Sequence, residues 1–153
     1  MNVGANSITD YGNYYKYGLG ASQYDNAQAD YTGTESPLAA NADTAVQVWG
    51  GQWHMPTKAQ FEELTANTTY SVDTIGTTHC YKFTAQNGNY ILFPAAGLWS
   101  NGRQEGVNNY GFYWSSSSYV SDASYVLGLV YGHDSAVAPN SRKEGYPVRP
   151  VIG

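Results

Sequence analysis

The chain has 153 residues, a net charge of −5 and only 12% charged residues, about half the ~25% of ordinary globular domains. Its length predicts one domain, residues 1–153, with enough chain to bury a core. It has no basic stripe and no apolar run near the ~18 residues of a membrane span, so neither nucleic acid as a partner nor a membrane span is predicted. Aromatic residues make up 15%, most of them Tyr, which argues against disorder and is typical of binding surfaces.

Local signals predict two short helices after residues 1–42, a Gly-, Asn- and Tyr-rich segment that favours short strands and ordered loops. Asp43 can accept hydrogen bonds from the free N–H groups at the start of the first helix, and Gly50 can end it. Before the second helix, Thr57 and Gln60 form a capping box, in which each side chain bonds the other residue's backbone N–H.

The rest of the chain is predicted to be mostly β-strand. Asn87-Gly88 favours a turn with positive φ at both central residues, so segments 80–85 and 89–93 are predicted to form a hairpin. Further strands are predicted over 111–115, 124–131 and 146–152. Two short helices followed by mostly antiparallel strands with long loops predict an α+β architecture.

The predicted strand over 124–131 has one regular and one irregular register. Every second residue from Tyr125 to Tyr131 is large, whereas the intervening residues, from Ser124 to Val130, share neither size nor polarity. Alternate residues of a strand face opposite sides of its sheet. The large residues are therefore predicted to be core, and the irregular register is predicted to be an exposed face that tolerates any residue. Such a face suits binding better than catalysis.

Six motifs occur in order along nearly the whole chain. They are Asn2-Val3-Gly4-Ala5, Asp10-Tyr11-Gly12-Asn13-Tyr14-Tyr15, Trp53-His54-Met55-Pro56-Thr57 with Phe61-Glu62-Glu63-Leu64, Phe93-Pro94-Ala95-Ala96-Gly97, Gly111-Phe112-Tyr113-Trp114-Ser115-Ser116 and Gly145-Tyr146-Pro147-Val148-Arg149-Pro150-Val151. Together they resemble the Fibrobacter succinogenes major paralogous domain, common in Bacteroidetes surface proteins, and the related variable proteins of diversity-generating retroelements. Family members have Trp-Ala shortly before the first motif, which implies a chain trimmed from a longer protein or an unusually short N-terminus.

The resemblance implies a C-type lectin-like fold, on the branch that includes formylglycine-generating enzyme. In that fold two short helices flank a mostly antiparallel sheet, and the N- and C-terminal segments come together. The resemblance also implies that residues of about 113–151 are variable, because adenine-directed mutagenesis rewrites the matching segment of the retroelement proteins. The oxidase activity of the branch is not expected, because it relies on cysteines and Cys80 is the only one here. Cys80 is predicted to be a buried, inert thiol.

The predicted function is non-enzymatic recognition of a protein or glycan on a cell or phage surface. The protein is expected outside the cell, on a bacterial surface or a phage particle. The predicted ligand-binding residues are Tyr119, Val120, Asp122, Ser124, Val126, Gly128, Val130, His133, Asp134, Ala136, Ala138, Asn140 and Ser141. Tyr119 is the predicted aromatic anchor.

No catalytic or metal-binding residue is predicted. The serines Ser115 to Ser118 lack a Gly-x-Ser-x-Gly elbow, and the first two are expected to hold loop backbone through local hydrogen bonds. Asp134, Asn140 and Glu144 offer oxygen ligands for calcium. However, Ala138-Pro139-Asn140 lacks the first ligand of the triplet that calcium-dependent lectins use, so no cofactor is expected.

The sequence neighbours of the tryptophans and of Arg149 predict where these side chains lie. Trp49, Trp53 and Trp114 are predicted to lie in the core, whereas Trp99, in a Gly- and Asn-rich loop, is a candidate surface anchor. Arg149 is flanked by apolar residues and is predicted to be structural, with its guanidinium paired to a carboxylate or to loop carbonyls.

Two further function classes stay open. A structural or adhesive surface module would carry the same residues without selection for binding, and a gene with no neighbouring reverse transcriptase and template would favour it. A glycan-acting hydrolase would need two carboxylates that converge in a pocket. Glu62 and Glu63 are instead predicted on the solvated face of the second helix, and the other acids are scattered.

Overall fold

The computed structural model of the protein describes residues 13–26 and 31–153. In this part of the chain, two helices and ten strands follow one another. In order they are α1 Thr44–Trp49, β1 Trp53–His54, α2 Lys58–Asn67, β2 Thr69–Ile75, β3 Thr78–Thr84, β4 Tyr90–Pro94, β5 Leu98–Ser100, β6 Arg103–Glu105, β7 Tyr110–Val120, β8 Ala123–Val130, β9 Ala136–Ser141 and β10 Val151–Ile152. Neither helix in the described residues is long and apolar enough to cross a membrane.

Both helices begin at the residues that their capping signals predict. Asp43 Oδ1 accepts a hydrogen bond from the Val46 N–H at 3.1 Å at the start of α1, and Gly50 ends that helix with a φ of 63°. Before α2, Thr57 Oγ1 accepts from the Gln60 N–H at 3.1 Å, and Gln60 Oε1 accepts from the Thr57 N–H at 3.0 Å. The two helices and the capping box are therefore confirmed.

The strands form four small antiparallel sheets within the described residues. Their strand orders are β1-β10, β2-β3-β4, β5-β6 and β7-β8-β9. The hairpin of β3 and β4 is confirmed, but its turn is longer than predicted: the Ala85 N–H donates to the Asn89 carbonyl at 2.8 Å, and Gly88 has a positive φ whereas Asn87 does not. Strands β1, β2, β5, β6 and β9 were not predicted from the sequence.

The sheet β7–β9 lies between two hydrophobic clusters, one on each face. The first cluster packs Trp114 and Val126 against Tyr17, Ala45 of α1 and Tyr146. The second is built around Tyr113, Leu127, Leu129, Phe61 of α2 and the aromatic residues of β3 and β4. A sheet covered on both faces buries both registers of its middle strand.

The predicted meeting of the N- and C-terminal segments is confirmed where both are described. The Tyr15 N–H donates to the Tyr146 carbonyl at 2.9 Å, and the Tyr146 N–H donates to the Tyr15 carbonyl at 3.3 Å. The indole Nε1 of Trp114 also donates to the Tyr15 carbonyl at 2.9 Å. These bonds hold the N-terminal segment over the central sheet.

The predicted α+β, C-type lectin-like fold class is wrong. The chain is mostly β: its helices hold only 6 and 10 residues, and its strands form several small sheets rather than one sheet flanked by two helices. Proline residues contribute to this division into small sheets. Pro94 ends β4, and Pro147 and Pro150 lie in a C-terminal segment of which only two residues pair as β10, because proline has no N–H to donate to a strand partner.

Candidate functional site

The structure does not support the predicted exposed face of β8. Ser124 is fully buried and Val126 is 2% exposed, Gly128 is half-buried, and only Val130 is exposed. Of the predicted core residues, Leu127 and Leu129 are fully buried as expected. Tyr125 is only half-buried, and Tyr131 is 53% exposed, so the core prediction is wrong for Tyr131. The prediction that the irregular register is an exposed face is therefore wrong for Ser124 and Val126.

Three residues of that register meet three different neighbours. The Arg142 Nε donates to Ser124 Oγ at 2.9 Å inside the protein. Val126 pairs with Trp114 on β7 and belongs to the first cluster. A Cβ on Gly128 would lie 3.2 Å from Cε1 of Phe112. The irregular sequence reflects three different neighbours, not freedom from neighbours.

The other predicted binding residues do not form one surface. Tyr119, Val120 and Asp122 are exposed around the β7–β8 turn, whereas His133 and Asp134 are exposed in the β8–β9 connection. The two turns lie at opposite ends of β8, which has 8 residues and therefore spans roughly 25 Å. Of the predicted residues on the edge strand β9, Ala136 and Ala138 are exposed, and Asn140 and Ser141 are half-buried.

The β7–β8 turn nevertheless presents large apolar side chains to solvent. Tyr119 is 54% exposed and Val120 is 43% exposed. The Tyr119 ring packs edge-on against Tyr125, with ring centroids 5.5 Å apart, and the Lys58 Nζ lies 4.9 Å from the Tyr125 ring centroid. Tyr119 is therefore held in place at the surface, as an anchor residue requires.

A second surface feature is an open pocket of about 360 Å³ beside Trp99. Its aromatic walls come from Tyr14, Tyr24 and Trp99, and Asn13, Gln23 and Asn26 add amide groups. The centroids of the Tyr24 and Trp99 rings are 5.9 Å apart, and those of the Tyr14 and Trp99 rings are 6.5 Å apart. The pocket therefore joins the N-terminal segment to the short hairpin of β5 and β6.

Backbone contacts fix the Trp99 side of this pocket. The Trp99 N–H donates to the Gly145 carbonyl at 3.0 Å, and the Gly145 N–H donates to the Trp99 carbonyl at 2.9 Å. Position 145 must be glycine for Tyr24 to pack there, because an added Cβ would lie 2.6 Å from the Tyr24 Cβ. The Tyr24 hydroxyl accepts from the Gly102 N–H at 2.8 Å and donates to Asn26 Oδ1 at 3.1 Å.

Hydrogen bonds also hold the Tyr14 ring. The Tyr14 hydroxyl donates to the Ala96 carbonyl at 2.7 Å and accepts from Gln104 Nε2 at 3.0 Å. The sequence indicated Trp99 as a candidate anchor but gave no reason to join it to tyrosines more than 70 residues earlier. That juxtaposition depends on the contact between the N- and C-terminal segments.

A family model described as Domain of unknown function (DUF8237) matches residues 60–151. The chain belongs to the DUF8237 family. No curated protein and no solved structure matches the chain. The DUF8237 region includes Trp99 and the whole of the sheet β7–β9, whereas Tyr14 and Tyr24 precede it.

Several side chains of the DUF8237 region serve the fold rather than a site. The Ser115 Oγ donates to the Tyr125 carbonyl at 2.7 Å and accepts from the Ser117 N–H at 3.1 Å, and the Ser116 N–H donates to the Pro56 carbonyl at 2.8 Å. The predicted local backbone bond is confirmed for Ser115, whereas Ser116 bonds the distant Pro56, and both serines lie in strand β7 rather than in a loop. Cys80 is a buried free thiol, and burial raises the pKa of that thiol.

No group of three or more His, Cys, Asp or Glu residues within 13–26 and 31–153 is arranged to hold a metal ion. Trp114 is fully buried as predicted, but Trp53, just before the DUF8237 region, is 39% exposed rather than core. It lies on β1, which forms a two-stranded sheet with the two residues of β10.

The partners of the Arg149 guanidinium differ from those predicted. None of the ion pairs and hydrogen bonds of the described residues includes its guanidinium, so the expected carboxylate or carbonyl partner is missing. The Arg149 Cζ instead lies 5.3 Å from the centroid of the Phe93 ring. Burial lowers the pKa of Arg149 because it removes water from the charged group.

Proposed function

We propose that this DUF8237 protein is a non-enzymatic ligand-binding domain that recognises a glycan. The observation that carries the proposal is the pocket in which the Trp99, Tyr14 and Tyr24 rings lie beside several amide side chains. One face of a sugar ring carries mostly C–H groups, and its edge carries hydroxyl groups. An aromatic ring can pack against the C–H groups, and amide donors and acceptors can form hydrogen bonds with the hydroxyl groups.

The rigidity of the pocket supports the same function. The Tyr14 and Tyr24 hydroxyls are both engaged with the protein, so the rings need little reorganisation when a ligand binds. A preorganised site loses less side-chain entropy on binding. The volume of about 360 Å³ falls within the ~300–1,000 Å³ range of small-ligand sites.

A direct test is titration with methyl glycosides of glucose, galactose, mannose and N-acetylglucosamine, monitored by tryptophan fluorescence and by NMR. At least one sugar should shift the Trp99 indole signal saturably. Trp99→Ala should weaken that binding by about tenfold or more, since each stacked aromatic contributes on the order of 1–3 kcal/mol by analogy with stacked bases.

The matched control is Trp53→Ala, which removes an exposed indole outside the pocket and should leave sugar affinity unchanged. If no sugar perturbs Trp99, or if both variants lose binding equally, the glycan proposal fails. Prolonged incubation with oligosaccharides should release no reducing ends. Release would instead favour the glycan-acting hydrolase.

A second candidate is recognition of a protein on a bacterial or phage surface by a variable segment of about 113–151, as in the retroelement proteins that the sequence resembles. The observation in its favour is the exposure of Tyr119 and Val120 at the β7–β8 turn, 54% and 43%. The test is the DNA beside the gene. An adenine-biased near-copy of the segment would support this function, and its absence together with the absence of a reverse transcriptase would favour a structural or adhesive module.

A further inference from the structure

A groove of about 330 Å³ runs between α2 and strands β4 and β10, away from the Trp99 pocket. Phe61 and Phe93 are 2% exposed and form its floor. Leu64, Ile91 and Val151 form apolar walls, and Arg149 also lines the groove. The groove is therefore an apolar channel with one cation in it, and the exposed residues Glu63 and Asn67, together with Gln60, add polar groups to its lining.

The donors of that cation have no acceptor in the described part of the protein. Arg149 is half-buried, and its guanidinium, which carries five N–H donors, is absent from the ion pairs and hydrogen bonds of the described residues. The Arg149 Cζ lies 5.3 Å from the centroid of the Phe93 ring. Arg149 is not among the residues with a buried, unpartnered nitrogen or oxygen, so water reaches its donors. An anion with two oxygen acceptors in one plane can replace that water and bind the guanidinium through two charge-assisted hydrogen bonds.

The groove favours one kind of anion. A carboxylate on a plain alkyl chain can place its oxygens at Arg149 and its chain against Leu64 and Ile91. A peptide would also need partners for its amide groups, but the nearby amides are engaged: Gln60 Oε1 accepts from the Thr57 N–H at 3.0 Å, and Asn67 Nδ2 donates to the Glu63 carbonyl at 2.8 Å.

We propose that this groove binds a free aliphatic monocarboxylate, with the Arg149 guanidinium holding the carboxylate and the apolar walls holding the chain. The volume of about 330 Å³ corresponds to roughly ten heavy atoms at the ~30 Å³ that a water molecule occupies. The ligand is thus an acid of medium chain length. This site is independent of the proposed glycan pocket.

The experiment is an NMR titration of the intact chain with decanoate, below its micelle concentration. Decanoate should shift the methyl signals of Leu64 and Ile91 saturably. Decan-1-ol has the chain without the charge, acetate has the charge without the chain, and both should bind at least about tenfold more weakly. An apolar tetrapeptide with a free C-terminal carboxylate tests whether the groove instead binds the carboxylate of a peptide C-terminus. It should also bind more weakly than decanoate.

Arg149→Gln should weaken decanoate binding by about tenfold or more. Arg103→Gln, which removes an exposed arginine on β6, should leave it unchanged. Leu64→Trp fills the groove while it keeps Arg149, and should weaken binding even if Arg149→Gln fails to fold. Trp99→Ala should have no effect, which separates this site from the glycan pocket.

Three results would overturn the proposal: no saturable shift with decanoate, equal affinity for decan-1-ol and decanoate, or tighter binding of the tetrapeptide than of decanoate. The last result would assign the groove to peptide C-termini.

Discussion

Arg142 shows how one buried side chain can organise loops that are distant in the sequence. It is 1% exposed. Its Nη1 group donates to the carbonyls of Tyr31, Gly33 and Ser121 at 3.0, 2.8 and 3.0 Å. The guanidinium carbon lies 4.8 Å from the Tyr17 ring centroid. Burial lowers the pKa of this arginine, but carbonyl acceptors and an aromatic face stabilise its charged form.

We therefore predict that Arg142→Met destabilises the protein by about 2–4 kcal/mol. Methionine replaces much of the apolar stem, but it leaves the carbonyls and the Ser124 hydroxyl buried without a donor, each at a cost of ~1–3 kcal/mol that relaxation reduces. Urea unfolding measures the difference. Arg103→Met, at an exposed position, should change stability by less than ~0.5 kcal/mol. Equal stabilities of the two variants would show that Arg142 is not structural.

At the scale of single elements, β8 offers two matched positions on one face. Val126 is 2% exposed and Val130 is 36% exposed. We predict that Val126→Thr costs about 1–3 kcal/mol, because it buries a hydroxyl against Trp114 without a partner. Val130→Thr should stay within ~0.5 kcal/mol of the parent, since water can solvate its hydroxyl. If both substitutions lower the free energy of unfolding by the same small amount, Val126 is not packed against Trp114, and the exposed face predicted from the sequence is correct.

The helices were predictable and the exposed face was not, for one physical reason. Capping at Asp43 and Thr57 involves residues three positions apart, so the sequence contains both partners side by side. The burial of Ser124 depends on Arg142, 18 residues later. The small residues of β8 could therefore be interpreted as tolerance, when each one fits a particular neighbour.

The candidate glycan pocket shows the same limit. Trp99 was identifiable from its Gly- and Asn-rich surroundings, and it does line a pocket. Tyr14 and Tyr24 lie in a segment without periodicity, and they reach Trp99 only because Tyr15 pairs with Tyr146. The predicted binding residues, in contrast, were taken from neighbouring sequence positions, and β8 carries them to opposite ends of a sheet.

At the scale of the whole molecule, the two hydrophobic clusters share the sheet β7–β9 and both contain buried tyrosines. Tyr17 and Tyr146 belong to the first cluster, and Tyr81 belongs to the second. Burial raises the pKa of all three phenols. Tyr70 packs against the second cluster, and burial raises its pKa to about 12.

These shifts predict a loss of stability at alkaline pH. An unfolded tyrosine ionises near pH 10, whereas the folded tyrosines stay protonated, so above pH ~10 the unfolded state binds fewer protons and the free energy of unfolding falls. The contribution of each tyrosine is fully present below pH ~10 and is lost as the pH rises toward its folded pKa. Each ionising tyrosine adds a slope of up to ~1.4 kcal/mol per pH unit.

Tyr70→Phe isolates one of these contributions. The Tyr70 hydroxyl is buried without a hydrogen-bond partner, so its removal should leave stability at pH 7 unchanged or slightly higher. Between pH 10 and 12 the variant should lose stability less steeply than the parent, as measured by urea unfolding at each pH. Tyr119→Phe, at an exposed position, should keep the parent's slope. If Tyr70→Phe also keeps that slope, Tyr70 ionises equally in both states, and burial does not govern alkaline unfolding at this position.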